Sequence, residues 1–172
     1  VGTKGKTYIE DEITLAVANK VKALLENSGV TVLMTRTDEN STMTNAERAV
    51  WANENNAELV IKLHADGTKE GGSGMTMLVP GSAYIEDSSV IKNSKTLAKL
   101  ILKNAKNLTG ARNRGVYTTN QMAGLNWSKV PVVLFEMGFM TNSNDEKKLA
   151  DSEYQQKLAE GIYNGIIEYY KQ

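Results

Sequence analysis

The chain of 172 residues contains no cysteine and a single histidine, His64. Without a thiol there is no Cys nucleophile and no thiolate metal site, and the composition is compatible with a location outside a cell and equally with one inside. One imidazole leaves one candidate base for a Ser-His-Asp triad and one histidine ligand for any metal. Neither charge is in excess: Lys and Arg number 20, Asp and Glu number 20, and the net charge is +0. That balance removes the electrostatic argument for nucleic acid or an anionic membrane as main partner. No apolar run is long enough to span a bilayer, and no signal peptide, internal repeat, low-complexity segment or linker stands out. The chain opens on Val1 rather than Met, which reads as a processed or excised piece of a longer polypeptide. Its length suits one domain with a real core.

Periodicity supplies the elements. Ile9, Ile13, Val17, Val21 and Leu24 recur at helical spacing over residues 7–28, with Gly29 as the stop. Residues 30–35 (Val-Thr-Val-Leu-Met-Thr) read as a buried strand. Thr44-Asn45-Ala46-Glu47 has capping-box spacing and predicts a helix to about residue 56. A strand over 59–63 ends at His64, followed by a glycine-rich loop (Gly67, Gly71, Gly72, Gly74) and a strand over 75–79. Leu97, Leu100, Ile101, Ala105 and Leu108 mark a long helix that stops at Gly110. Residues 116–119 make a weak strand, and 131–135 a strong one that tolerates Pro131 because proline stands first. A last helix is expected from a second capping box, Ser152 to Gln155, to about Tyr170. Strands alternating with helices predict a single α/β domain over 1–172, with a mostly parallel twisted sheet and helices on both faces.

In such sheets the chemistry gathers at the carboxyl ends of the strands. His64 follows one strand, Glu136 follows another, and Glu10 falls in the first turn of the opening helix, so the three could converge. One imidazole and carboxylates suit zinc, and a further carboxylate can move the proton of an attacking water. Each residue also has a plainer reading. Thr7-x-x-Glu10 is itself a capping box, His64 could bond a backbone carbonyl, and Glu136 could pair with an arginine. Arg114 suits a substrate carboxylate or a solvated structural role, Asp66 could stand in as a ligand, and Arg36 and Arg48 read as helix–strand ion pairs. A serine hydrolase has little support, because no Gly-x-Ser-x-Gly elbow occurs and neither Ser73 nor Ser128 has the strand-turn-helix setting.

Six blocks in register carry a family resemblance across almost the whole chain. They are Glu10–Leu15 with Ala18–Val21, Met34–Asp38, Glu47-Arg48 with Ala52-Asn53, Ile61–Gly67, Asn113–Val116 and Pro131–Asn142. Together they resemble the zinc-dependent N-acetylmuramoyl-L-alanine amidases of bacterial autolysins and phage endolysins. The resemblance implies that Glu10 and His64 are zinc (Zn2+) ligands and that Glu136 is the catalytic acid/base. It implies hydrolysis of the amide between N-acetylmuramic acid and L-alanine, a secreted cell-wall location, and peptidoglycan as partner; the oligomeric state stays open, with a monomer the default expectation. It assigns no substrate-binding residue. The chain departs from the family pattern in one respect: no Asp-x-Gly-His block precedes Glu10, so the family's N-terminal strand and its histidine ligand are expected upstream of Val1. The other expectation consistent with that departure is an inactive amidase-like fold that binds muropeptide. Near-zero charge further predicts that wall targeting is delegated to modules outside this chain.

Overall fold

Val133, Phe135 and Met137 are buried on one side of a strand while Val132 and Leu134 are buried on the other, so this strand needs cover on both faces. The surrounding architecture supplies it. A computed structural model of the chain describes residues 5, 7–38, 42–67 and 72–172. Gly71 of the glycine-rich loop, and residues 1–4 and 6 of the opening segment, lie outside the described residues. The elements run α1 (Glu10–Glu26), α2 (Asn45–Glu54), β1 (Val60–Asp66), β2 (Met75–Pro80), α3 (Ser88–Thr109), β3 (Asn113–Thr119), α4 (Ala123–Asn126), β4 (Val132–Phe139), α5 (Ser143–Ala150) and α6 (Ser152–Tyr170).

The four described strands form one sheet in the order β1-β4-β2-β3. β1 pairs parallel with β4 and β2 parallel with β3, but β2 and β4 are antiparallel. The sheet is mostly parallel, as expected, but mixed by one antiparallel pairing. The cause is the short connection after β1: between Asp66 and Met75 there is too little chain for a helical crossover, so β2 must run back. The longer path from β2 to β3 contains α3 and restores a parallel pair.

One face of the sheet carries the main core. Ile13, Val17, Val21 and Leu25 of α1, Leu97, Ile101 and Leu102 of α3, and Leu158, Ile162 and Ile166 of α6 close over Met75, Met77, Val133 and Phe135. α3 and α6 approach closely through Gly161 and Gly165, where an added Cβ would lie 2.5 Å from Ala105 Cα and 2.5 Å from Ile101 Cα respectively. The other face has a thinner cover. Leu125 of the short α4 packs on Val132 and Leu134, with Val60, Leu78 and Met122 at its margin. Beyond that patch Lys62, His64, Thr76 and Glu136 stay only half-buried.

Local signals place several element ends. Thr44 accepts from Glu47 N at 3.2 Å while Glu47 Oε2 accepts from Thr44 N at 2.6 Å, completing the expected capping box. Gly110 closes α3 with φ 68°. Other ends moved. α6 is capped by Asp151, whose carboxylate accepts from Tyr154 N, and Gln155 instead donates to Leu149 O. β1 and β4 run past His64 and Glu136, placing both inside strands rather than after them. The strand expected at 30–35 is not formed. Val30 and Val32 pack on the core and Thr31 and Leu33 are exposed, but a strand needs a ladder, and no described strand lies alongside.

Candidate metal centre and catalytic carboxylate

In the β1–β4 ladder His64 stands directly opposite Glu136. Side chains alternate along a strand, so both project onto the thinly covered face. Glu10 arrives by another route. Val60 N donates to Pro131 O, so residues 60, 62, 64 and 66 address β4 while the Ala65 N–H points away from it, toward the outer edge of β1. The buried carboxylate of Glu10, first residue of α1, closes that edge. Its Oε1 accepts from Ala65 N at 3.1 Å and lies 3.0 Å from His64 Nδ1. No Thr7–Glu10 capping box forms, since the N-cap of α1 is Ile9 without a side-chain cap bond, yet Glu10 does satisfy a backbone donor, Ala65 N. Thr7 N and Tyr8 N instead donate to Glu146 Oε1. His64 likewise meets a carboxylate rather than a backbone carbonyl.

Glu136 is the anomalous acid of the group. Its Oε2 is buried with no hydrogen-bond partner, and no arginine pairs with it among the described residues. Burial pushes its carboxyl up to about 7; His64 offsets part of this, and the nearby Asp66 and Glu10 carboxylates add to it. A carboxyl poised near neutrality beside an imidazole–carboxylate pair can take up and release a proton at working pH.

The geometry fits a zinc ion in part. Two ligands about 2.0–2.1 Å from one tetrahedral ion stand roughly 3.3 Å apart. The 3.0 Å separation of Glu10 Oε1 and His64 Nδ1 suits an ion as well as a proton. Imidazole nitrogen and carboxylate oxygen are apt donors, and the unpartnered Oε2 of Glu136 lacks an electrostatic complement. Among the described residues no group of three or more ligating side chains gathers, so these two would supply only part of the three protein ligands a catalytic zinc usually takes.

The remaining sequence candidates have local partners. Arg36 Nη2 donates to Asp11 O at 2.6 Å and to Thr14 Oγ1 at 2.9 Å, and Arg48 Nε to Met43 O at 3.2 Å; these contacts run to oxygens of backbone and hydroxyl. Arg114 lies 5.1 Å from the centroid of the Phe139 ring. Ser73 Oγ donates to Asp145 and Ser128 Oγ to Val130 O. Lys62, by contrast, is a functional candidate that sequence reasoning passed over. It lies on the His64 face of β1, its Nζ donates to Asn45 Oδ1 at 3.1 Å, and burial together with Arg48 pulls its pKa down to about 8. The available signal was a lysine between Ile61 and Leu63 in an otherwise apolar strand.

The family model described as N-acetylmuramoyl-L-alanine amidase (Amidase_3) matches residues 1–168. The uncharacterized protein YqiI of Bacillus subtilis is 34% identical over 171 residues, covering 99% of this chain and 79% of that protein. N-acetylmuramoyl-L-alanine amidase LytC of the same organism is 33% identical over 99% of this chain, which spans 33% of LytC. The crystal structure of an N-acetylmuramoyl-L-alanine amidase from Clostridium difficile 630 superposes with a TM-score of 0.89 at 28% identity, covering 99% of this chain and 90% of that one. The chain belongs to the Amidase_3 family of N-acetylmuramoyl-L-alanine amidases.

Proposed function

We propose that this family member is a peptidoglycan hydrolase that cleaves the amide between the lactyl group of N-acetylmuramic acid and L-alanine, with residues 1–172 as its catalytic domain. The supporting observation is the convergence, from α1, β1 and β4, of Glu10, His64 and an unpartnered Glu136 on one half-open sheet face. Glu10 and His64 would hold zinc, which supplies Lewis acidity to the scissile carbonyl and to water. Glu136 takes a proton from the attacking water as its oxygen adds to the carbonyl carbon. It returns that proton to the alanine nitrogen as the C–N bond breaks. The products are a lactyl carboxylic acid and a free amino terminus. Such a substrate places the protein at the cell wall, outside the cytoplasm. No helix among the described residues is long and apolar enough to cross a membrane.

The test is release of N-terminal alanine from purified peptidoglycan by the zinc-supplied chain. Release that disappears with a chelator, and in Glu136→Ala, is the expected outcome. One observation favours a second reading, a fold that binds muropeptide without cleaving it: the described residues gather no third ligating side chain. Undiminished release with chelator present would overturn the metal assignment, and binding without release would favour the second reading.

A further inference from the structure

Glu10 sits where a helix is least secure. It is the first residue of α1, and the N-cap before it, Ile9, has no side chain that can bond the free amides of the first turn. Helix ends without a cap fray. Here the bracing comes from another element. Oε1 of Glu146, a buried residue in the first turn of α5, accepts from Thr7 N at 2.7 Å and from Tyr8 N at 3.1 Å, which fixes the backbone just ahead of Glu10. Gly5 closes over the same carboxylate. Its N donates to Tyr8 O at 3.0 Å, and an added Cβ would lie 2.7 Å from Glu146 Cδ and 3.1 Å from Met140 Cε. The same turn of α5 is tied to the strand that carries Glu136. Oδ2 of Asp145 accepts from Phe139 N at the end of β4 (3.2 Å) and from Gly74 N just before β2 (2.9 Å), and its Oδ1 accepts from Ser73 Oγ at 2.8 Å. A run of bonds thus leads from β4 through Asp145 and Glu146 to Thr7 and Tyr8, and through Glu10 to Ala65 and His64 on β1. Because β1 and β4 already adjoin, this second connection closes a ring and references Glu10 to both strands.

We propose that Glu146 is a positioning residue. By holding the backbone at Thr7 and Tyr8 it sets the Glu10 carboxylate against Ala65 N and His64 Nδ1, and its bearing on catalysis rests on the reading of Glu10 as a metal ligand above. Glu146 acts through the chain it holds and touches neither Glu10 nor the ion. Both of its bonds to the opening segment need an acceptor oxygen rather than a charge, so glutamine serves at this position and alanine does not.

The experiment reads Glu10 directly. In the zinc-free chain the amide proton of Ala65 reports the Glu10 bond, because donation to a carboxylate moves it downfield, and Glu10→Ala gives its position without that bond. Glu146→Ala is expected to carry the Ala65 resonance most of the way to that position, and Glu146→Gln to leave it in place. Gly5→Ala leaves α5 untouched, but its methyl displaces the Glu146 carboxylate, so it should act like Glu146→Ala. Zinc titration of the same proteins should show affinity about tenfold lower in Glu146→Ala and Gly5→Ala, and little changed in Glu146→Gln. A glutamate that merely pinned the opening segment would, when lost, shift the Thr7 and Tyr8 amides and lower the melting temperature while Ala65 stayed where it was. That result would overturn the assignment, as would Glu146→Gln behaving like Glu146→Ala. A displaced Ala65 resonance in a chain that binds no zinc would uphold the positioning role and count against the metal reading alone.

Discussion

Glu136 carries the sharpest residue-level consequence. Its folded-state pKa of about 7 lies above the 4.5 of an unperturbed glutamate, so the folded chain holds a proton that the unfolded chain releases. Between those two values stability falls as pH rises, and above about 7 the full cost of a buried charge is present. In zinc-free protein, Glu136→Gln should therefore gain stability over the unsubstituted chain between pH 5 and pH 8, on the order of 2 kcal/mol. Urea unfolding at both pH values checks this; a difference between the two proteins that stays constant with pH would refute it. The sequence blocks named Glu10, His64 and Glu136 as candidates, and the fold brings these three together. Their partners were not legible in the sequence. The contact between Glu10 and the outer edge of β1 depends on which amides of that strand face away from β4, and spacing along the chain does not encode it.

Elements whose ends are set by neighbouring residues were readable, and those that need a distant partner were not. The Thr44–Glu47 box lies within four residues and forms as expected. Residues 30–35 have the composition of a strand but no ladder, because pairing is a property of two segments. The pair Gly161 and Gly165 shows the same dependence. On a helical wheel they look like weak points, yet they are where α6 meets the backbone of α3. Gly161→Ala raises helix propensity by about 1 kcal/mol, but the new methyl meets Ala105 Cα at 2.5 Å, and overpacking costs about 1–3 kcal/mol. The clash is with backbone, which cannot rotate away, so a net loss of about 1–2 kcal/mol is expected. A melting temperature at or above that of the unsubstituted chain would show that the two helices separate at little cost.

For the whole molecule, an ion bound across α1 and β1 joins segments far apart in sequence and stabilises the folded state by mass action. Zinc at a hundredfold excess over its Kd should add about 2.7 kcal/mol to unfolding, and the gain should vanish when Glu10 and His64 are both alanine. A calorimetric scan with and without zinc reads this directly, and an equal gain in the double variant would place the ion elsewhere.

The α/β class, the family and most of the long helices and strands could be read along the chain, because helix and strand periodicities, caps and the amidase blocks are local patterns. Which strand would reverse, and which face of the sheet is left open, could not. β2 reverses because the connection from Asp66 to Met75 is short, and that reversal puts Thr76 rather than a parallel neighbour beside Glu136. The half-open face arises because α4 is short and covers Val132 and Leu134 but stops before the row of His64 and Glu136. Lys62 belongs to the same lesson. In sequence it is one charge among 20 basic residues, and it became a candidate once the fold had buried it beside Gly124 and paired it with a neutral amide. Burial and the identity of a partner are relations between distant segments, and packing alone brings them about.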